Sequence, residues 1–466
     1  MNFALRVVVS IATLLVLASV ASASTFEWKG GYRVEWVNLE KPSLANTGSS
    51  KSYVLNHLYL SPQLIAADGF NIVARFDMLS ANQNSENSQL GVIWGNTNAP
   101  TGMSAKADPQ TSGSEQFKLT QMYLKLDQEY GQIILGRAPF EFGLGMTYSA
   151  GTGLFDHWYS VRDIAAYKFV INDWFIMPIF SRAGDNSVVT GGGMNSMGFQ
   201  LQYENPDTKS LIGFLQETRK GTAGSNDLNS QFAGSTVNGS FDIQRTNFIF
   251  GRGFEKFDFK VEAGFLTGST GLQNAGNEDI DLNAYGFVVE MDYAQPESKW
   301  KWSAKLGMAS GDDAETANYE GFQFNPNYNV GMLLFNQRLG QADFLTSGIT
   351  KNPNIASIKD AFDDENVSNT IFVAPSATYQ WKEKTDIRTT LVYAQILNSQ
   401  ANSLSSAKDL GLELDVEFIY KPTKSLQWIN QVGLLMPGNA WQYGPNGAEF
   451  DKDMTYGFVS KAAISF

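Results

Sequence analysis

The sequence of 466 residues predicts an all-β fold, a transmembrane antiparallel up-and-down β-barrel of about eighteen strands, with sixteen as the alternative count. Three observations predict it. The chain finishes on an amphipathic strand, its period-2 stretches are joined by connections that alternate between short and long, and an export signal precedes a remainder with no long apolar run.

In the final stretch, Met454, Tyr456, Phe458, Ser460, Ala462, Ile464 and Phe466, mostly apolar or aromatic, share one parity, and Thr455, Gly457, Val459, Lys461, Ala463 and Ser465 share the other. Side chains alternate across a strand, so this is a ribbon with two unlike faces. It resembles the C-terminal signature of bacterial outer-membrane barrels, which the barrel-assembly machinery reads. That resemblance implies an assembly signal at Phe466, Ile464, Phe458 and Tyr456. It also implies a place in the outer membrane of a Gram-negative bacterium, in contact with membrane lipid and lipopolysaccharide.

At the other end Arg6 precedes an apolar run from Val7 to Val20, and Ala21, Ser22 and Ala23 form a small-x-small cleavage site. Residues 1–23 read as a cleaved signal peptide, because a spanning helix needs roughly 20 apolar residues. Residues 24–466 read as one barrel. The chain is 43% hydrophobic and 17% charged, with a mean hydropathy of −0.21, a soluble-looking balance that a barrel shares because only alternate residues meet lipid. The absence of cysteine removes disulfides and thiolate chemistry, and a net charge of −13 disfavours nucleic acid as a partner.

Strands are expected at 26–39, 52–66, 69–80, 116–129, 131–138, 161–171, 173–183, 194–204 and 210–219. The second half adds 241–253, 257–269, 280–293, 299–310, 370–381, 386–397, 410–421, 425–436 and 454–466. Every connection from an even to an odd strand is short, such as the single Asn172. Those from odd to even are longer, and four are much longer: 81–115, 139–160, 220–240 and 311–369. Short periplasmic turns and long extracellular loops produce this alternation.

Alternation also assigns the faces. Ile72, Ala74, Phe76 and Met78 oppose Arg75 and Asp77; Phe257, Phe259, Val261, Ala263 and Phe265 oppose Asp258, Lys260 and Glu262; Leu412, Leu414, Val416, Phe418 and Tyr420 oppose Glu413, Asp415 and Glu417. A charge facing mid-membrane lipid costs on the order of 2–4 kcal/mol, so the charged faces are expected inside. Lys125, Lys301 and Lys305 join them, while Trp300, Trp302, Leu306 and Met308 face out. With about eighteen strands the barrel wall alone cannot fill the lumen, which predicts an aqueous passage narrowed by loops.

The segment from Gly136 to Asp163 is too irregular for a strand and too apolar for a free loop. Either it folds against the inner wall, with Arg137, Glu141, Asp156, Arg162 and Asp163 at a constriction, or it packs as a surface loop. A strand ending in Gly136-Arg137, a loop rich in glycine and aromatics, and Arg162-Asp163 opening the next strand resemble the alginate-export family of outer-membrane barrels. The resemblance implies eighteen strands around a charged conduit and passive, selective transit of solutes. The conduit of the alginate exporter is strongly basic, whereas this chain is acidic and carries Glu413, Asp415 and Glu417 on an inward face.

Catalytic chemistry is not expected. His57 shares a parity with Ser61, without a nucleophile, base and acid motif around them; Gly191-Gly192-Gly193 precedes no helix; Asp312, Asp313 and Glu315 lack calcium-loop spacing. No cofactor or metal is expected. Two functional readings remain: a porin-like channel for small hydrophilic solutes, and a closed barrel whose long extracellular loops bind a partner or surface.

Overall fold

The computed structural model describes residues 25–66, 69–78, 117–183, 194–222, 236–274, 276–313, 316–341, 366–398, 407–443 and 449–466. The expected signal peptide at 1–23, the 81–115 loop, Gly191 to Gly193 and most of the 220–240 loop lie outside the described residues.

The strands are β1 (Thr25–Glu40), β2 (Lys51–Ile65), β3 (Phe70–Met78), β4 (Phe117–Gln128), β5 (Gly131–Pro139), β6 (Val161–Ile171), β7 (Trp174–Ala183), β8 (Met194–Asn205) and β9 (Ser210–Gly221). Then follow β10 (Thr236–Val237), β11 (Phe241–Gly253), β12 (Phe257–Gln273), β13 (Asp279–Ala294), β14 (Trp300–Ala309), β15 (Thr370–Lys382), β16 (Thr385–Ile396), β17 (Asp409–Thr423), β18 (Leu426–Pro437) and β19 (Thr455–Ser465). The two-residue β10 only extends the sheet beside Leu272 and Gln273, so eighteen strands make the wall. All eighteen coincide with the predicted set, with ends displaced by no more than four residues.

Antiparallel pairing follows chain order and closes where β1 meets β19, from Gly31 opposite Ser465 to Glu40 opposite Tyr456. Gly30 and Phe466 add a reciprocal pair of backbone hydrogen bonds, 2.8 and 3.0 Å. A closed ring has no free edge, so every ladder group finds a partner inside the bilayer. Several tight turns need left-handed backbone, supplied by Asn172, Lys209 and Glu297. No helix among the described residues is long and apolar enough to cross a membrane.

The outer face carries the apolar parity of each strand, with Trp28, Trp174, Trp300, Trp302, Trp381 and Trp428 exposed near the end where the turns are short. These tryptophans mark one interface of the lipid band. Loops narrow the interior. Residues 140–160 and the described parts of 310–341 enter the lumen, where Phe322, Phe324, Met332, Leu333, Leu334 and Phe335 are almost wholly buried against wall residues such as Leu282, Val288, Phe372 and Val392. Gly286 faces this wedge; a Cβ there would lie 2.6 Å from the Phe322 ring, so the wall can carry no side chain at that point.

The constricted lumen as candidate functional site

The 140–160 loop is a small hairpin held by its backbone, with Phe142 bridging Tyr148 and Phe140 N–H donating to the Ser160 carbonyl at 2.8 Å. Wall carboxylates fix its turn. Glu262 on β12 accepts the N–H groups of Leu144 and Met146 at 2.6 and 3.3 Å. Gly143 makes this approach possible, since its φ is +62° and a Cβ would sit 2.6 Å from the Glu262 carboxylate. Glu217 on β9 accepts the Tyr148 hydroxyl at 2.8 Å and pairs with Arg162 at 2.7 Å and Arg219 at 3.1 Å. The Arg162 guanidinium lies 4.3 Å from the centres of both the Phe140 and Tyr148 rings, a cation–π stack that covers its charge.

The loop tip reaches β1. Arg33 donates to the Asp156 carbonyl at 2.5 Å, and His157 meets Glu35 at 2.6 Å, with Arg33 also paired to Glu35. Burial holds the His157 imidazole below its ordinary pKa even though Glu35 pulls the other way. In the ring of eighteen, β1 lies eight strands from β9 and β12 is the eleventh, so the loop spans the lumen between facing walls.

The second loop is anchored the same way. Glu413 on β17 accepts the N–H groups of Leu333 and Leu334 at 2.6 Å each, and Asp415 accepts that of Met332 at 2.8 Å. Successive N–H groups aimed at one carboxylate form an anion nest. Tyr328 donates to Glu290 at 2.9 Å, while Lys305 donates to the Asn329 carbonyl at 2.9 Å and pairs with Glu290 at 3.4 Å. Asn327 joins the loops: its side-chain carbonyl accepts from His157 and Trp158, and its amide donates to the Trp158 carbonyl and Ser149.

Beside this apolar wedge two polar cavities adjoin. One of about 130 Å³ lies between the loops and the wall, bounded by Glu35, His157, Asn336 and Gln337. The other, about 360 Å³, opens below it among Asp292, Lys305, Ser376, Arg388, Thr390 and Glu417. Phe155, Asn329, Gln431 and Lys461 line both. The Lys461 amine stands 5.1 Å from the Phe155 ring centre at their junction.

The sequence-predicted residues divide into groups. Arg75 and Asp77 are buried inside, bound to one another at 2.9 Å with His57 on Asp77 at 2.7 Å. Glu417 pairs with Arg388 beside the larger cavity. Lys125 lies over Tyr123 at 5.9 Å, Asp258 pairs with Lys209 at 2.8 Å, and Lys260 and Lys301 stay exposed near the short-turn end. Glu262 and Glu413 face inward but meet loop N–H groups and not open water, while Asp415 accepts the Met332 N–H and also borders the larger cavity. Asp156 belongs to the inward loop and Arg162, on β6, faces that loop from the wall; partial burial with nearby Asp156 raises the pKa of Glu141. Arg137 and Asp163 are a correction: they pair at 2.8 Å on the outside of the barrel, because the opposite parity, Ala138 and Ile164, packs against the loop. Ser61 donates to the Ala74 carbonyl, so the structure gives it a different partner from His57. Asp312 accepts the Glu320 N–H, and Glu315 lies outside the described residues.

Sequence reasoning missed Glu35, Glu217, Asn327, Arg388 and Lys461. The first, second, fourth and last stand on the inward parity of their strands and were legible by the alternation used elsewhere. Asn327 carried no signal, since its role depends on a meeting of two loops far apart in sequence.

An eighteen-strand barrel with an apolar outer belt, short turns at one end and a loop-narrowed lumen defines a porin-like outer-membrane channel protein. A model of the alginate export family matches residues 190–452, more than half of the chain, and the chain belongs to that family. Its fold is similar to a BenF-like porin from Pseudomonas fluorescens Pf-5, at 9% identity and a TM-score of 0.52 over 96% of this chain and 100% of that one. It is also similar to OccK2 (OpdF) of Pseudomonas aeruginosa, at 9% identity and a TM-score of 0.50 over 95% and 98%. At such identities the likeness speaks to fold alone. No curated protein sequence matches the chain.

Proposed function

We propose that the barrel passes small hydrophilic solutes along the wall formed by β17, β18, β19 and β1. The observation that carries this reading is the pair of adjoining polar cavities sharing Phe155, Asn329, Gln431 and Lys461. Solutes small enough for a cavity of about 130 Å³ fit the junction; a wide polymer does not. Charge points the same way. The two cavities present Glu35, Asp156, Glu290, Asp292, Asp415 and Glu417 against Lys305, Arg388 and Lys461, with His157 held toward its neutral form. Alginate is a polyanion, and such a wall repels it, so this member of the alginate export family is read as a conduit for neutral or mixed-charge solutes.

Planar-bilayer recording of the purified barrel tests this. Small single-channel conductance is expected, with a mild preference for cations in the reversal potential. Removing the loop junction by Asn327→Ala is expected to increase the conductance. Silence in both proteins refutes the reading.

A further inference from the structure

The larger of the two cavities has an ordered wall. Cross-strand register places Asp292 opposite Ser303, Ser303 opposite Ser376, Ser376 opposite Thr390 and Thr390 opposite Asp415, and all five line that cavity. They form a belt across β13 to β17, three hydroxyls between two carboxylates. The row is bounded at both ends. Beyond Asp292 stands Asp258, which Lys209 holds at 2.8 Å, and beyond Asp415 stands Gly433, which has no side chain. Within the belt the Ser376 and Thr390 hydroxyls meet at 2.8 Å. Asp415 places Oδ2 on the Met332 N–H and leaves Oδ1 without a donor, although the residue is 2% exposed. A buried acceptor in that state calls for a donor from the cavity.

The cations beside the belt are already engaged. Glu290 and Lys305 pair on its long-loop side, across β13 and β14, and Arg388 and Glu417 pair on its short-turn side, across β16 and β17. A solute anion therefore gains neither cation and is repelled by Asp292 and Asp415. A solute cation meets those carboxylates with Lys305 and Arg388 close by, and the three hydroxyls offer it no further charge. A hydroxyl both donates and accepts, so a neutral solute carrying several can donate to a carboxylate and exchange hydrogen bonds with the serines and threonine beside it.

We propose that this belt is a subsite for neutral, polyhydroxylated solutes of monosaccharide size, a reading that rests on the conduit proposed above and names its solute class. The cavity volume of about 360 Å³ falls within the ~300–1,000 Å³ of small-molecule sites. Four strand spacings of about 4.8 Å separate the two carboxylates, about 19 Å along the wall, so such a solute meets one carboxylate at a time together with the hydroxyls next to it. Individually modest hydrogen bonds let it leave as readily as it enters.

The full mature protein, folded in a detergent without a sugar headgroup, is titrated with methyl β-glucoside, xylitol, glycine betaine and lysine, and saturation-transfer NMR reads which solutes touch it. Saturable transfer to the two polyols is expected, each displacing the other, with at least tenfold weaker binding of betaine and lysine. Combining Ser376→Ala with Thr390→Val leaves every charge in place and is expected to weaken polyol binding about tenfold, while Asp258→Asn, outside the cavity, keeps it. Heat-resistant migration in gels reports that each variant is folded. Equal affinity for betaine or lysine overturns the proposal, as does unchanged affinity in the double variant. The same samples are recorded in planar bilayers: ion conductance without polyol binding overturns the subsite alone, whereas polyol binding by a silent barrel upholds the subsite and refutes the conduit.

Discussion

Replacing Glu413 by alanine removes the acceptor of two buried N–H groups, those of Leu333 and Leu334, each bound at 2.6 Å. A buried donor left unsatisfied costs about 1–3 kcal/mol, so the loss amounts to about 2–6 kcal/mol in the local stability of the inner loop. Against this stand Met332, Leu333, Leu334 and Phe335, nearly free of solvent. Burying such side chains contributes about 1.5–3 kcal/mol each, or about 6–12 kcal/mol for the four. Burial wins, so the loop stays inside but opens more often. At about 1.4 kcal/mol per factor of ten, a loss of about 3 kcal/mol raises local opening about a hundredfold. Hydrogen exchange read by mass spectrometry on a peptide covering 326–341 measures this directly. Faster exchange confined to that peptide is the expected result, accompanied by noisier open-channel current. Unchanged exchange there, or equal acceleration throughout the barrel, would show that Glu413 does not anchor the loop.

Three further outcomes follow from the same geometry. Gly143→Ala forces a side chain into a φ of +62° and against Glu262, which costs about 1–3 kcal/mol locally; protease sensitivity of the 140–160 loop should rise without a change in barrel melting. Lys461→Glu reverses the charge at the cavity junction, and the reversal potential in a salt gradient should move toward stronger cation preference, with an unchanged potential counting against a path beside Phe155. Deleting Phe466 removes its two backbone hydrogen bonds with Gly30 at the seam, and the yield of folded barrel recovered from outer membranes should drop several-fold.

Much of the wall was legible in the sequence because a transmembrane strand must obey two rules at once, period-2 alternation and a turn at each end. Glu413, Asp415 and Glu417 on one face of β17 could only point inward, and they do. The alternation misled where lumen and lipid are both apolar. On β6, Ile164 and Ala166 pack against the inner loop while Ala165, Tyr167 and Phe169 face out, so the pattern carries little contrast and the outward side of Asp163 was lost in it. The filling of the lumen left one trace, the run Met332-Leu333-Leu334-Phe335 inside a long connection, which is too apolar for a water-exposed loop. What that run would bind was not legible. A row of carboxylates reads equally well as pore lining or as acceptors for main-chain N–H groups, and only the approach of a loop from elsewhere in the chain decides between them.

The 140–160 hairpin is fastened to Glu35 on one side of the ring and to Glu217 and Glu262 on the other, and so acts as a tie-rod. A ring with a rod across it resists flattening along one axis. It also transmits any flattening that does occur to the narrow gap beside His157. The width of the gap beside His157 is therefore tied to how round the cylinder is.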